Sequence, residues 1–96
     1  MSYFIKTETI KSPYLNEIKI KSKIIKEHKI WVKKLLEKGF YIKSGFLIDK
    51  DGSPGAGGLL IIKCNSFEEA EQIIKTDPMI KSNIVSWTLN EWINVI

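Results

Sequence analysis

Arginine is absent: all fifteen basic side chains among the 96 residues are lysine. Arginine's rigid fork is the group that reads guanine edges and grips phosphate bidentately, so the formal charge of +4 comes without it. Cysteine and histidine occur once each, as Cys64 and His28. A lone thiol closes no internal disulfide, which fits a reducing compartment, and the expected location is cytoplasmic. A zinc site needs typically about three or four converging ligands, so no metal is expected. Long apolar runs are missing as well. The longest, Leu59-Leu60-Ile61-Ile62, falls far short of the ~20 residues that cross a bilayer. Lys6 and Glu8 appear before any stretch of signal-peptide length, so neither a membrane anchor nor an export signal is expected. No repeat, linker or low-complexity tract divides residues 1–96, and the expectation is a single domain.

What is present reads as four strands and two helices. Tyr3 to Ile10 alternates imperfectly and carries β-branched and aromatic residues, as a strand does. Ser12-Pro13 has the form of a helix start, serine as cap and proline at the first helical position. The helix that follows places Ile18, Ile25, Val32 and Leu36 near one stripe, with Ile24, Trp31 and Leu35 beside it, and ends at Gly39. Its lysines outnumber its glutamates, and pairs such as Glu17 with Lys21 and Lys33 with Glu37 suit a solvated face. Phe40 to Leu47 and Gly58 to Cys64 are strands joined by the turn-rich segment 49–57. Ser66-Phe67-Glu68-Glu69 is a capping box that opens a second helix, and Asp77-Pro78 stops it. Ile84 to Trp92 alternates Val85, Trp87 and Leu89 against polar residues. The order β-α-β-β-α-β predicts an α+β, ferredoxin-like sandwich: an antiparallel four-stranded sheet with two helices on one face. Leu59 to Ile62 are apolar on both faces of their strand, so a homodimer through the bare sheet face is expected. Trp87 and Leu89 are expected to widen that face.

Several apparent motifs dissolve on inspection. Lys38-Gly39-Phe40-Tyr41-Ile42 imitates an RNA-binding signature, but Tyr41 stands where a small residue belongs and the strand is wrong; nucleic acid is not the expected partner. Gly52, Gly55, Gly57 and Gly58 join two strands, with no following helix to hold a phosphate, and suit turn chemistry. Cys64 has the character of a small buried hydrophobe. His28 differs. It lies in the apolar sector of the first helix, a turn from Ile24, Ile25, Trp31 and Val32, where a carboxylate on the neighbouring helix could reach it. Asp77, held by Pro78, is that carboxylate. A lone helix histidine is more often structural, and the residues by themselves leave both readings open.

These residues together resemble the YciI-like, or YCII-related, proteins. The resemblance runs through Glu27-His28-Lys29-Ile30-Trp31, Leu35-Leu36-Glu37-Lys38-Gly39, Ser44-Gly45 and Asp51-Gly52. It continues through Gly58-Leu59-Leu60-Ile61-Ile62, Ser66-Phe67-Glu68-Glu69-Ala70, Asp77-Pro78 and the strand ending at Trp92. The family often has Gly-Pro where this chain has Gly45-Phe46. The resemblance implies a dimeric α+β barrel with a site centred on His28 and Asp77 as catalytic residues; Ser44 and Gly45 are the expected substrate contacts. The wider family includes ring-dehalogenating lyases and related barrels that isomerise lactones, and no cofactor motif is visible here, so the expected function is a cofactor-independent acid–base enzyme of lyase or isomerase type acting on a small organic molecule. The alternative is a non-catalytic small-ligand-binding or accessory dimeric module, in which the same pair is a structural hydrogen bond. A second polar group able to hold substrate separates the two, and Ser44 and Tyr3 are the candidates.

Overall fold

Among the described residues, four antiparallel strands, β1 (Ser2–Ile10), β2 (Ile42–Phe46), β3 (Gly58–Cys64) and β4 (Val85–Trp92), make one sheet in the order β2-β3-β1-β4. The structure is a computed structural model, and it describes residues 1–52 and 57–96. The turn-rich segment expected between β2 and β3 therefore lies partly outside the described residues. Alternation assigns the two sheet faces. Phe4 and Lys6 of β1, Leu60, Ile62 and Cys64 of β3, and Val85 of β4 are buried, while their sequence neighbours are open or half-open.

Helices cover the buried face. α1 (Ile18–Glu37) and α2 (Phe67–Ile74) contribute Leu35, Ala70 and Ile74 to one cluster with Phe4, Ile42, Leu60, Ile62 and Cys64. A second cluster joins Ile24 of α1 and Val85 of β4 to Met79 of a third helix, α3 (Pro78–Lys81), and to Ile84. This is the ferredoxin-like arrangement the element order predicts, with one short helix added. Asp77-Pro78 does more than stop α2. Asp77 caps α3, its carboxylate accepting from the Met79 N–H at 2.9 Å, and Pro78 follows where a missing N–H costs nothing.

The helix boundaries correct two expectations. Ser12-Pro13 opens only a 3-10 turn, Ser12–Tyr14, and α1 begins at Ile18. Tyr14 packs into the second cluster and the Lys11 N–H bonds the Ile84 carbonyl, so the turn is tied to the sheet end before the helix departs. The apolar stripe is also rotated from the expected one. Ile18 and Leu36 are exposed, and the inward row is Ile24, Ile25, His28, Trp31, Val32 and Leu35. Lys21 reaches the Leu15 carbonyl rather than Glu17. The carboxyl end is as expected: Gly39 takes φ +92°, its N–H bonds Leu36 and the Phe40 N–H bonds Leu35, closing the helix with a left-handed residue. The segment that imitates an RNA-binding signature is thus a helix stop.

The ladders define what lies beside what. Lys6 stands opposite Leu60 on one side and Leu89 on the other, and Leu60 stands opposite Ser44. Ser44, Leu60, Lys6 and Leu89 form one row across the sheet, under α1. Trp87 and Leu89 pack against the helix-side core, so they add nothing to the bare face, contrary to expectation. That face carries instead Tyr3, Ile5, Leu59, Ile61 and Trp92. Among the described residues, no helix is long and apolar enough to cross a membrane.

Candidate active site

His28 and Asp77 meet. The sheet brings α1 and α3 side by side, and His28 Nδ1 lies 2.8 Å from Asp77 Oδ1. The other ring nitrogen, Nε2, lies 2.7 Å from Ser44 Oγ on β2. Asp77 is wholly buried, so it needs a partner at every oxygen. It has them: His28 and the Met79 N–H at Oδ1, and Lys6 Nζ at Oδ2, 2.9 Å away. Lys6 in turn bonds Glu8 Oε1. One continuous chain of polar contacts therefore runs Ser44–His28–Asp77–Lys6–Glu8.

The electrostatics follow from that chain. Burial alone would push the Asp77 carboxyl up, but the His28 hydrogen bond and the Lys6 charge outweigh it and hold the group below its ordinary value of 3.8. A carboxylate can only accept, so His28 carries its proton on Nδ1 when the ring is neutral. Nε2 then offers its lone pair, and Ser44 donates to it. The His28 ring also stacks obliquely near Trp31, with centroids 5.6 Å apart. Trp31 Nε1 donates to Thr76 Oγ1 at 2.8 Å, a second tie between α1 and the corner that holds Asp77.

A cavity of about 280 Å³ opens beside the histidine, lined by His28, Lys6, Glu8, Ser44, Ile25 and Val32 among others. Ligand cavities are commonly about 300–1,000 Å³, so this one suits a small molecule. Gly45 and Phe46 line it too, which places Phe46 on the wall where the family often has proline. A Cβ on Gly58 would meet the Gly45 carbonyl oxygen at 3.3 Å, so a larger residue there would press on the β2 backbone at the cavity wall. Among the described residues, no three His, Cys, Asp or Glu side chains gather as metal ligands do.

The structure thus brings His28, Asp77 and Ser44 together, with Gly45 beside them at the cavity wall. Tyr3 does not belong to the group. It lies on the opposite face of the sheet, edge-on to Tyr41 with centroids 5.6 Å apart. Cys64 is buried, and burial, with Glu69 nearby, pushes its thiol up to about 11. Lys6 and Glu8 are the polar residues that sequence reasoning missed. The available signal was their phase, since both alternate with Phe4 on the inward side of β1.

A family model of the YCII-related domain matches residues 1–93. The chain belongs to the YCII-related family. A solved structure, 5-chloro-2-hydroxyhydroquinone dehydrochlorinase (TftG) from Burkholderia phenoliruptrix in complex with 2,5-dihydroxybenzoquinone, superposes with a TM-score of 0.67. The alignment covers 96% of this YCII-related chain and 94% of the dehydrochlorinase at 16% identity, a likeness of fold. No curated protein matches the chain.

Proposed function

We propose that the chain is a cofactor-independent acid–base enzyme of lyase or isomerase type, with His28 as the proton carrier and Asp77 as its orienting carboxylate. The observation that carries this reading is the histidine bridging a buried carboxylate and a cavity-wall hydroxyl. Asp77 fixes which nitrogen holds the proton and stabilises the imidazolium formed when Nε2 takes one from a bound molecule. Ile25 and Val32 give the cavity an apolar side against which a small ring can pack. The TftG structure supports the class, because dehydrochlorination removes a proton and chloride from a small ring. Ser44 and Gly45 are the proposed substrate contacts, and two copies are proposed to join through the bare sheet face.

The test is release of chloride from 5-chloro-2-hydroxyhydroquinone, with binding of 2,5-dihydroxybenzoquinone followed by melting temperature. Turnover that His28→Asn abolishes supports the reading; turnover that survives it removes His28 from the chemistry. A second reading also has an observation behind it. Asp77 caps α3 and pairs with Lys6, so it has structural work independent of any substrate. In that reading the module binds a small ligand without transforming it, and dihydroxybenzoquinone raises the melting temperature with no turnover of any chlorinated ring.

A further inference from the structure

We infer that Ser44 is a nucleophile: with His28 as base, it accepts acyl groups from small esters of acidic alcohols such as phenols. This rests on the proposed His28–Asp77 base but adds a covalent activity that proton transfer alone does not require. Three observations carry it. The contacts Ser44 Oγ–His28 Nε2 at 2.7 Å and His28 Nδ1–Asp77 Oδ1 at 2.8 Å have the order and lengths of an activated serine. Ser44 is exposed and lines the cavity, so its hydroxyl is reachable by a bound molecule.

The third observation concerns the backbone. Among the described residues β2 pairs with β3 alone, at an edge of the sheet. The Lys63 N–H bonds the Tyr41 carbonyl and the Leu47 N–H bonds the Gly57 carbonyl, so the odd-numbered residues of β2 face β3. Ser44 falls in the opposite phase, and its own N–H points off the open edge of the sheet. A nucleophile's own N–H is one of the donors that stabilise the substrate's carbonyl oxygen when it becomes an oxyanion in the tetrahedral intermediate bonded to Oγ. A single such donor favours esters whose leaving group needs little help, hence the acidic alcohol.

The step balances. Ser44 Oγ bonds the acyl carbon while His28 Nε2 takes the hydroxyl proton. The C–O bond to the leaving group breaks, and the imidazolium returns the proton to the departing phenoxide. Water, deprotonated by the same nitrogen, then hydrolyses the acyl-serine to a carboxylic acid and restores the hydroxyl.

A small alkyl fluorophosphonate tests this without knowledge of the natural substrate, because it forms a stable Oγ–P bond with loss of fluoride. The expected result is one adduct by intact mass, mapped by peptide sequencing to Ser44. Labelling should be absent in Ser44→Ala, whose melt is unchanged, and slower by about 100-fold or more in His28→Asn. No adduct, or an adduct spread over other serines, overturns the inference. Carbethoxylation of His28, the one histidine, by diethyl pyrocarbonate separates the two readings. Ser44 unlabelled with His28 reactive overturns the nucleophile alone; both groups inert overturns the base as well.

Discussion

Lys6 and Asp77 stand 71 residues apart in the chain, yet their side chains meet at 2.9 Å with 2% and 0% of their surfaces exposed. A buried ion pair contributes little over an apolar pair of the same shape, but breaking one from a single side leaves an uncompensated charge. Lys6→Met removes the cation between Asp77 and Glu8 and should cost about 3–5 kcal/mol in a denaturant melt. Adding Asp77→Asn to it should recover part of that loss, because the stranded carboxylate is then gone. A Lys6→Met protein as stable as the parent would show the pair to be incidental.

Acid stability should depend on the same carboxylate. Asp77 is held below 3.8, so near that pH the unfolded chain binds more protons than the folded one, and stability rises with pH. Its contribution is present above the ordinary carboxylate value and is lost as the pH falls below 3.8 through the folded-state value. Melts from pH 5 down to pH 2 should show a steep acid limb, and Asp77→Asn should flatten it. An acid limb unchanged in that variant would locate the sensitivity elsewhere.

Gly57 is the position where the backbone leaves no alternative. Its φ is +92°, and a Cβ would lie 2.0 Å from the Glu8 carbonyl oxygen. Gly57→Ala should lose about 1–3 kcal/mol to backbone strain alone, with the clash added. Because Gly57 also accepts from the Leu47 N–H, the shift should loosen β2 and carry Ser44 with it. Gly45→Ala, with nothing within 4 Å of its Cβ, is the control and should melt like the parent.

What was legible in the sequence was local. The Ser66 cap of α2, the Gly39 stop of α1 and the span of β3 each follow from a few adjacent residues. The Ser66 side chain accepts from the Glu69 N–H, as its spacing predicts. His28 and Asp77 stood out because a histidine in an apolar stripe and an aspartate before proline are conspicuous singly. The rest was tertiary. Whether Lys6 is a solvated lysine or the buried partner of Asp77 depends on which β1 face α1 covers, and imperfect alternation hid that phase. The α1 stripe was misplaced for a related reason: Ile18 and Leu36 fit the period but lie away from the inward row that His28 shares.

The bare sheet face should be closed by a second copy. Tyr3, Ile5, Leu59 and Ile61 lie between Lys43 and Lys63 of β2 and β3 and the polar residues of β4, and Lys63 sits over the Tyr3 ring. A stable contact there needs on the order of 1,200 Å² or more in total. Light scattering at micromolar concentration should give twice 11.0 kDa, and Ile61→Lys should return the monomer mass. A parent protein that scatters as a monomer would sink the dimer.

His28 and Asp77 should separate when each is replaced. In His28→Asn, Asp77 keeps the Met79 N–H and Lys6, and water can replace the exposed bond to Ser44, so the loss should be about 0.5–1.5 kcal/mol, that of the part-buried bond to Asp77. In Asp77→Asn, Lys6 loses a buried counter-charge and α3 exchanges a charged cap for a neutral one, so stability should fall further. Activity should follow the opposite order. Chloride release, or turnover of whichever ring serves, should drop about 10²-fold or more in His28→Asn, where the proposed proton carrier is gone. Asp77→Asn retains the imidazole, misoriented, and per folded molecule should lose less. Thermal melts and turnover measured on the same two variants make the crossing visible. If His28→Asn is the less stable of the two and its activity per folded molecule is intact, the histidine is a strut between α1 and α3 and not a proton carrier.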